Sequence, residues 1–214
     1  MGTMSNQWRF LKGYLHAPTC VGAVAPSSRA LAEALSRPYR EYDGPARVLE
    51  VGAGTGPVTS YLASQLGDED ELHVCEIRPD FARILERTVL TEDRFGAAIG
   101  EQRVRLYQMP IQELDRENYY DFVISGLPLT AFSLRDIKDV LRVIRKSLRP
   151  GGVMSYFEYV AIRKAVGRLT PGIRGKRRRV ISAYLSRNIR RYQFARQTVL
   201  QNLPPAHARH LRFD

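Results

Sequence analysis

The chain has 214 residues, a formal net charge of +11 at neutral pH and a pI near 10.0. That length supports one α/β domain with a substantial core, and no run nears the roughly 18 consecutive apolar residues of a membrane span. Two cysteines, Cys20 and Cys75, make no disulfide framework, and with the four histidines they show no metal-ligand spacing, so no metal is expected.

The amino-terminal stretch reads as an amphipathic helix. At ~100° per residue, Trp8, Phe10, Leu11, Tyr14 and Leu15 share one face, while Arg9, Lys12 and His16 take the other. Such a face suits the interfacial plane of a membrane, or docking on the domain's own core. Gly22–Arg29 reads as a loop entering a helix, with Ser27 or Ser28 as its cap. Residues 1–40 are therefore set apart as a membrane-associating and capping segment, and 41–214 as the main domain.

Val48-Leu49-Glu50-Val51-Gly52-Ala53-Gly54-Thr55-Gly56 then reads as buried strand, glycine turn and helix start, and Leu72–Glu76 as a second strand ending in a carboxylate. Arg103–Tyr107 and Tyr120–Ser125 read as strands three and four. Leu134–Leu148 carries apolar residues at helical spacing, and Pro150-Gly151-Gly152 is expected to stop that helix. Val153–Tyr159 reads as a fifth strand, with Arg196–Leu200 and His210–Phe213 as final strands. Strands alternating with helices predict a Rossmann-like α/β fold: a mostly parallel, seven-stranded sheet with helices on both faces.

The glycine turn and Glu76 fall on one sheet edge, where open α/β sheets bind ligands. The glycines admit close main-chain approach, and Glu76 suits both hydroxyls of a ribose, so the pattern predicts a nucleoside cofactor. A dinucleotide site needs Gly-x-Gly-x-x-Gly, but Pro57 stands where its third glycine belongs, and no phosphate-loop Gly-Lys-Ser/Thr follows. Glu50 would repel a pyrophosphate. S-adenosylmethionine, with an ammonium, a sulfonium and no phosphate, fits better.

With these residues in place, the chain resembles the class I S-adenosylmethionine-dependent methyltransferases, and more closely the bacterial phospholipid N-methyltransferases that convert phosphatidylethanolamine towards phosphatidylcholine. The resemblance covers nearly the whole chain. It rests on Gly22–Arg29, Val48–Gly56, Ser125-Gly126-Leu127-Pro128-Leu129, Leu148–Gly152 and Asn202-Leu203-Pro204-Pro205-Ala206. It implies that Glu50, Gly52, Ala53, Gly54, Thr55 and Gly56 line the methionine and ribose edge, with Glu50 near the ammonium. Glu76 would take the ribose, Ile77 the adenine face, and Pro110 and Ile111 the adenine rim. Relatives often carry an acidic acceptor for the adenine amino group at that rim; here Gln112 is the substitute.

For the substrate, the resemblance places the Ser125–Leu129 turn at the reacting nitrogen, where amine methyltransferases carry Asn-Pro-Pro-Tyr-like turns. Ser125, Tyr159 and Glu158 are the candidate catalytic groups, Tyr159 facing the amine and Glu158 a proton acceptor. Gly126, Leu127, Trp8 and Tyr14 would border the lipid. The basic stretch from Arg163 to Arg196 suits either nucleic-acid phosphates or anionic head groups. The resemblance favours a phospholipid substrate on an anionic membrane and no nucleic acid, with Arg177, Arg178 and Arg179 at the head-group phosphate. A cytoplasmic enzyme, peripheral on the inner membrane face, is the expectation. The rivals are an RNA adenine N6-dimethyltransferase or small-amine methyltransferase, and a non-enzymatic anionic-membrane-binding protein. Ser125 and Leu129 stand where the RNA enzymes carry Asn and a base-stacking aromatic, which weighs against a base as substrate.

Overall fold

The computed structural model describes residues 27–91, 101–160 and 173–213. The expected amphipathic helix with Trp8 and Tyr14 lies outside them. Seven strands, β1 (Arg47–Val51), β2 (Glu71–Cys75), β3 (Val104–Tyr107), β4 (Tyr120–Ser125), β5 (Leu148–Tyr159), β6 (Gln193–Val199) and β7 (Ala206–Arg212), form one sheet in the order β3-β2-β1-β4-β5-β7-β6. All pairings from β3 to β5 are parallel, and β7 runs antiparallel between β5 and β6. The expected mixed, mainly parallel sheet is therefore present. Its order reverses between β1 and β4, the switch point at which such sheets open a crevice.

Each face has its own core. Along β1, Val48 packs on one side with Leu35, Leu62 and Ile124, while Leu49 and Val51 pack on the other with Val123, Ile137 and Tyr156. The first side is covered by α1 (Arg29–Arg40) and α2 (Pro57–Ala63), the second by α4 (Leu134–Ser147) and α5 (Ile173–Tyr192); α3 (Pro79–Ile84) continues into a wider π-turn, Leu85–Val89. Ser28 caps α1, its hydroxyl accepting from Leu31 N, and Ser133 and Asp136 form a reciprocal capping box at α4. Leu31, Ala32 and Leu35 of α1 are fully buried on the sheet. This helix is thus part of the main domain, although the sequence assigned residues up to 40 to the preceding segment.

Strands β5, β6 and β7 each start earlier than the expected Val153, Arg196 and His210. Leu148 already pairs with Tyr120, so β5 starts where α4 ends, and Arg149–Gly152 loops out of register before Val153 pairs with Phe122. Pro150-Gly151-Gly152 thus makes a bulge within a strand, with Gly151 at φ 79°. At the opposite edge from the switch-point crevice, Asp70 joins three neighbours: its carboxylate accepts from Tyr39 O–H (2.6 Å), Ala46 N (2.7 Å) and Gly67 N (2.8 Å).

Candidate functional site

The strand ladder continues past the ends of β1, β2 and β4 and so fixes the residues beyond them. Gly52 N donates to Cys75 O (2.8 Å), Gly126 N to Val51 O (2.8 Å) and Glu76 N to Tyr107 O (3.0 Å). The glycine turn, Glu76 and the Ser125–Leu129 turn are thereby held on one edge, as the sequence implied. The two turns touch: a Cβ on Gly126 would lie 2.5 Å from Gly52 O, and one on Gly52 would lie 2.6 Å from Leu127 Cδ2. Gly54, at φ 61°, has no atom within 4 Å of its would-be Cβ, so it faces open space into which a ligand can come close. Gly56 acts differently, because its Cβ would meet Leu85 and Val89 of the π-turn. Ala53 is buried, and Thr55 is exposed.

Glu76 is fully buried and clamps this turn. One carboxylate oxygen accepts from Gly54 N and the other from Arg78 N, both at 2.8 Å. Burial raises its pKa, and those backbone donors oppose the rise. A carboxylate has roughly four acceptor positions, so two remain for the hydroxyls of a ribose. Glu50 lies on the α2 side of β1, 1% exposed, and accepts from the Thr59 hydroxyl (2.7 Å) in the first turn of α2. Burial pushes its pKa up to about 8, against the Thr59 hydrogen bond and reinforced by the charge of Glu76. Glu50, expected at the ammonium, lies beneath the turn with one carboxylate oxygen accepting from Thr59. Sequence reading missed Thr59; its hydroxyl at the third position of the helix, above the strand's acid, was the available signal.

A narrow cleft opens beside Glu76, lined by Cys75, Ile77, Met109, Pro110, Ile111 and Leu127. Ile77, Pro110 and Ile111 thus stand together where the adenine was expected, with Met109 added. Next to them the buried Oε1 of Gln112 has no hydrogen-bond partner among the described residues. An orphaned acceptor costs free energy unless a ligand donor meets it, and the amino group of an adenine is such a donor. The open face of Gly54, the spare acceptor positions of Glu76 and the apolar cleft of Ile77, Pro110 and Ile111 together fit an adenosine.

The proposed substrate groups are less united. Ser125 is buried, and its Oγ accepts from Leu127 N (3.3 Å), which shapes the turn. Ser125 pairs with Tyr156, so Tyr159 lies three residues further along β5, roughly 10 Å by strand rise. Tyr159 packs edge-on against Phe157 and on the α1-side core, and burial raises its pKa. Glu158 points to the opposite side and is bound by Arg209 (2.8 Å), both buried. That pairing makes Glu158 a brace between β5 and β7 and takes it away from the role of proton acceptor. Arg209 went unnoticed because an arginine in a strand breaks the apolar pattern. Arg177 and Arg179 are exposed on α5 and Arg178 is half-buried.

Residues 48–152 match the family model described as a methyltransferase domain. The ornithine lipid N-methyltransferase of Singulisphaera acidiphila is 32% identical over 152 residues, covering 71% of this chain and 77% of the relative. The chain belongs to the S-adenosylmethionine-dependent methyltransferases. A putative O-methyltransferase of Mycolicibacterium paratuberculosis is also 32% identical, over 62% of this chain and 55% of its own length. The fold of the methyltransferase resembles that of the 1,6-didemethyltoxoflavin-N1-methyltransferase of Burkholderia thailandensis, with a TM-score of 0.59 and 19% identity over 98% of this chain and 87% of that one. That relative was solved with its substrate and S-adenosylhomocysteine bound. As a member of its family this methyltransferase takes S-adenosylmethionine as cofactor, as the glycine spacing and Glu76 had implied.

Proposed function

We propose that this methyltransferase methylates the amine of a phospholipid head group at a membrane surface, converting phosphatidylethanolamine towards phosphatidylcholine. The observation that carries the reading is the similarity to an ornithine lipid N-methyltransferase across most of both chains. Two features support it. The Ser125–Leu129 turn offers main-chain groups beside the cleft and a buried Leu129 where a base-stacking ring would stand. Helix α5 carries no acidic residue, while Lys176, Arg177, Arg179, Arg187, Arg190 and Arg191 are exposed along it, which suits anionic lipids. No helix among the described residues is long and apolar enough to cross a membrane. The proposed attachment is peripheral, on the inner face of the cytoplasmic membrane, through basic groups such as those of α5.

The cofactor supplies a methyl group made electrophilic by its sulfonium. The chain's part is to hold amine and methyl in line and keep water out, which can account for much of the acceleration. Glu76 and the glycine turn orient the nucleoside, while Leu127 closes the cleft over Gly52. Main-chain carbonyls of the Ser125–Leu129 turn accept from the amine, and an apolar surround lowers the ammonium's pKa so that the neutral nucleophile forms. The Tyr159 ring meets the methylated, cationic head group through its face.

The basic face of α5 also suits RNA phosphates, which keeps RNA methylation as a second reading. Radiolabelled S-adenosylmethionine offered with phosphatidylethanolamine vesicles containing anionic lipid, with ornithine lipid vesicles, and with total RNA separates these. Label is expected in phosphatidylethanolamine. Label in ornithine lipid alone would reassign the head group, and label in RNA alone would reject a lipid substrate.

A further inference from the structure

The turn joining β6 to β7 holds two leucines in water. Leu200 is 72% exposed and Leu203 73%, the most exposed large apolar side chains among the described residues. Between them Asn202 is 2% exposed, its carbonyl accepting from Ser28 N (2.9 Å) and its amide donating to Pro204 O (2.8 Å). Val160 N donates to Pro205 O (2.9 Å) as well. The polar groups of the turn are thus used inward, tying it to the start of α1 and the end of β5, and the leucines project outward from a fixed frame.

Position matters as much as exposure. Val199 and Tyr159 both pair with Ala206, so the turn stands at the end of the sheet where β5 finishes. That is the edge bearing the glycine turn, Glu76 and Gly126. Helix α5 packs on the short helical turn Leu129–Ala131, beyond β4, and leads into β6 at the far edge. Its first turns, with Lys176, Arg177 and Arg179, therefore approach the same edge as the leucines. Exposed leucines at the same edge as a helix with cations and no acids are the composition of a surface that sits at a lipid interface: apolar tips enter the acyl boundary and cations meet anionic head groups.

We infer that the β6–β7 turn is a membrane-docking tip, with Leu200 and Leu203 inserting into an anionic phospholipid bilayer and orienting the cofactor edge towards it. This inference rests on the lipid reading above, since it gives the edge a membrane to face. The test compares the full chain with Leu200→Asp/Leu203→Asp and with the conservative Leu200→Met/Leu203→Met. Flotation with vesicles of phosphatidylethanolamine and phosphatidylglycerol measures binding, and methyl transfer is followed on those vesicles and on monomeric dihexanoyl phosphatidylethanolamine. Each leucine is expected to contribute about tenfold, so the aspartate variant should bind vesicles on the order of a hundredfold more weakly. Its activity on vesicles should fall in parallel, with unchanged cofactor affinity and unchanged activity on the monomeric lipid; the methionine variant should match the parent. Unchanged vesicle binding by the aspartate variant would overturn the inference, as would a change in its sedimentation coefficient, which would make the tip a self-association face. If the parent docks through these leucines yet methylates only RNA, the docking tip stands and the lipid substrate fails. If it methylates vesicle lipid and the aspartate variant still docks, the substrate stands and the tip fails.

Discussion

Replacing Glu50 with Gln isolates a buried acid whose cost depends on pH. In the fold its pKa is pushed up to about 8 from its ordinary value of 4.5 by burial, and the neighbouring charge of Glu76 adds to the effect. A carboxyl group with a raised folded pKa favours the folded state while protonated. Its contribution is complete below pH 4.5 and is lost as pH rises towards 8. Each pH unit in that window is worth about 1.4 kcal/mol, so the whole window amounts to roughly 4–5 kcal/mol. Glutamine stays neutral and can still accept from Thr59. Urea unfolding of both proteins without cofactor, from pH 5 to 9, should give a stability difference that moves steadily in favour of the variant up to about pH 8 and then levels. His73 and His210 are both buried, with pKa values pushed down to about 4 mainly by burial. They act in the opposite direction at acid pH, but they are common to both proteins and cancel in the difference. Parallel pH profiles would refute the assignment of an uncompensated acid at Glu50. Saturating S-adenosylmethionine, which brings positive charge, should flatten the parent's slope by favouring the ionised carboxylate.

Three further outcomes are expected. Gly54→Ala should cost only about 1–2 kcal/mol in urea unfolding, for a side chain at φ 61° with open space around it, yet weaken cofactor binding by calorimetry at least about tenfold; equal cofactor affinity would remove Gly54 from the binding surface. Asn202→Ala strands Ser28 N and Pro204 O and should lower stability by about 2–3 kcal/mol in the same unfolding assay, whereas a loss near zero would mean that the tie to α1 is replaced by water. Tyr159→Phe keeps the ring face and removes the hydroxyl. Under the lipid reading it should slow the first methyl transfer about tenfold or more in a product-resolved assay, spare later transfers to the methylated amine and leave cofactor affinity unchanged.

The half of the fold that holds the nucleoside was legible because its strands are buried on both sides. Tyr120–Ser125 is buried throughout and was read residue for residue, and the glycine spacing with Glu76 located the cofactor edge. The other half was harder for a physical reason. In β7 the inward side chains include Arg209 and His210, paired with Glu158 and Ser155 on β5, so burial there is not written as hydrophobicity. In β6 most residues are half-buried or exposed, and the periodicity is weak. This is why the final strands were placed a few residues late. The same hidden pairing misdirected Glu158, since an acid at a strand end looks available until its arginine, distant in sequence, is seen. The link between Ser28 and Asn202 was equally invisible, although both segments had been noticed separately.

The insertion of β7 between β5 and β6 has a consequence for synthesis. While the ribosome makes the chain, β5 emerges long before the strand that will cover its edge, because α5 and β6 come first. At roughly 5–20 residues per second that edge waits several seconds, open to pairing with another nascent chain. The Pro150-Gly151-Gly152 bulge lies on this waiting strand and interrupts its regular row of hydrogen-bonding groups. The same irregularity that displaced the boundary of β5 thus also shortens the template that a misfolding neighbour would need.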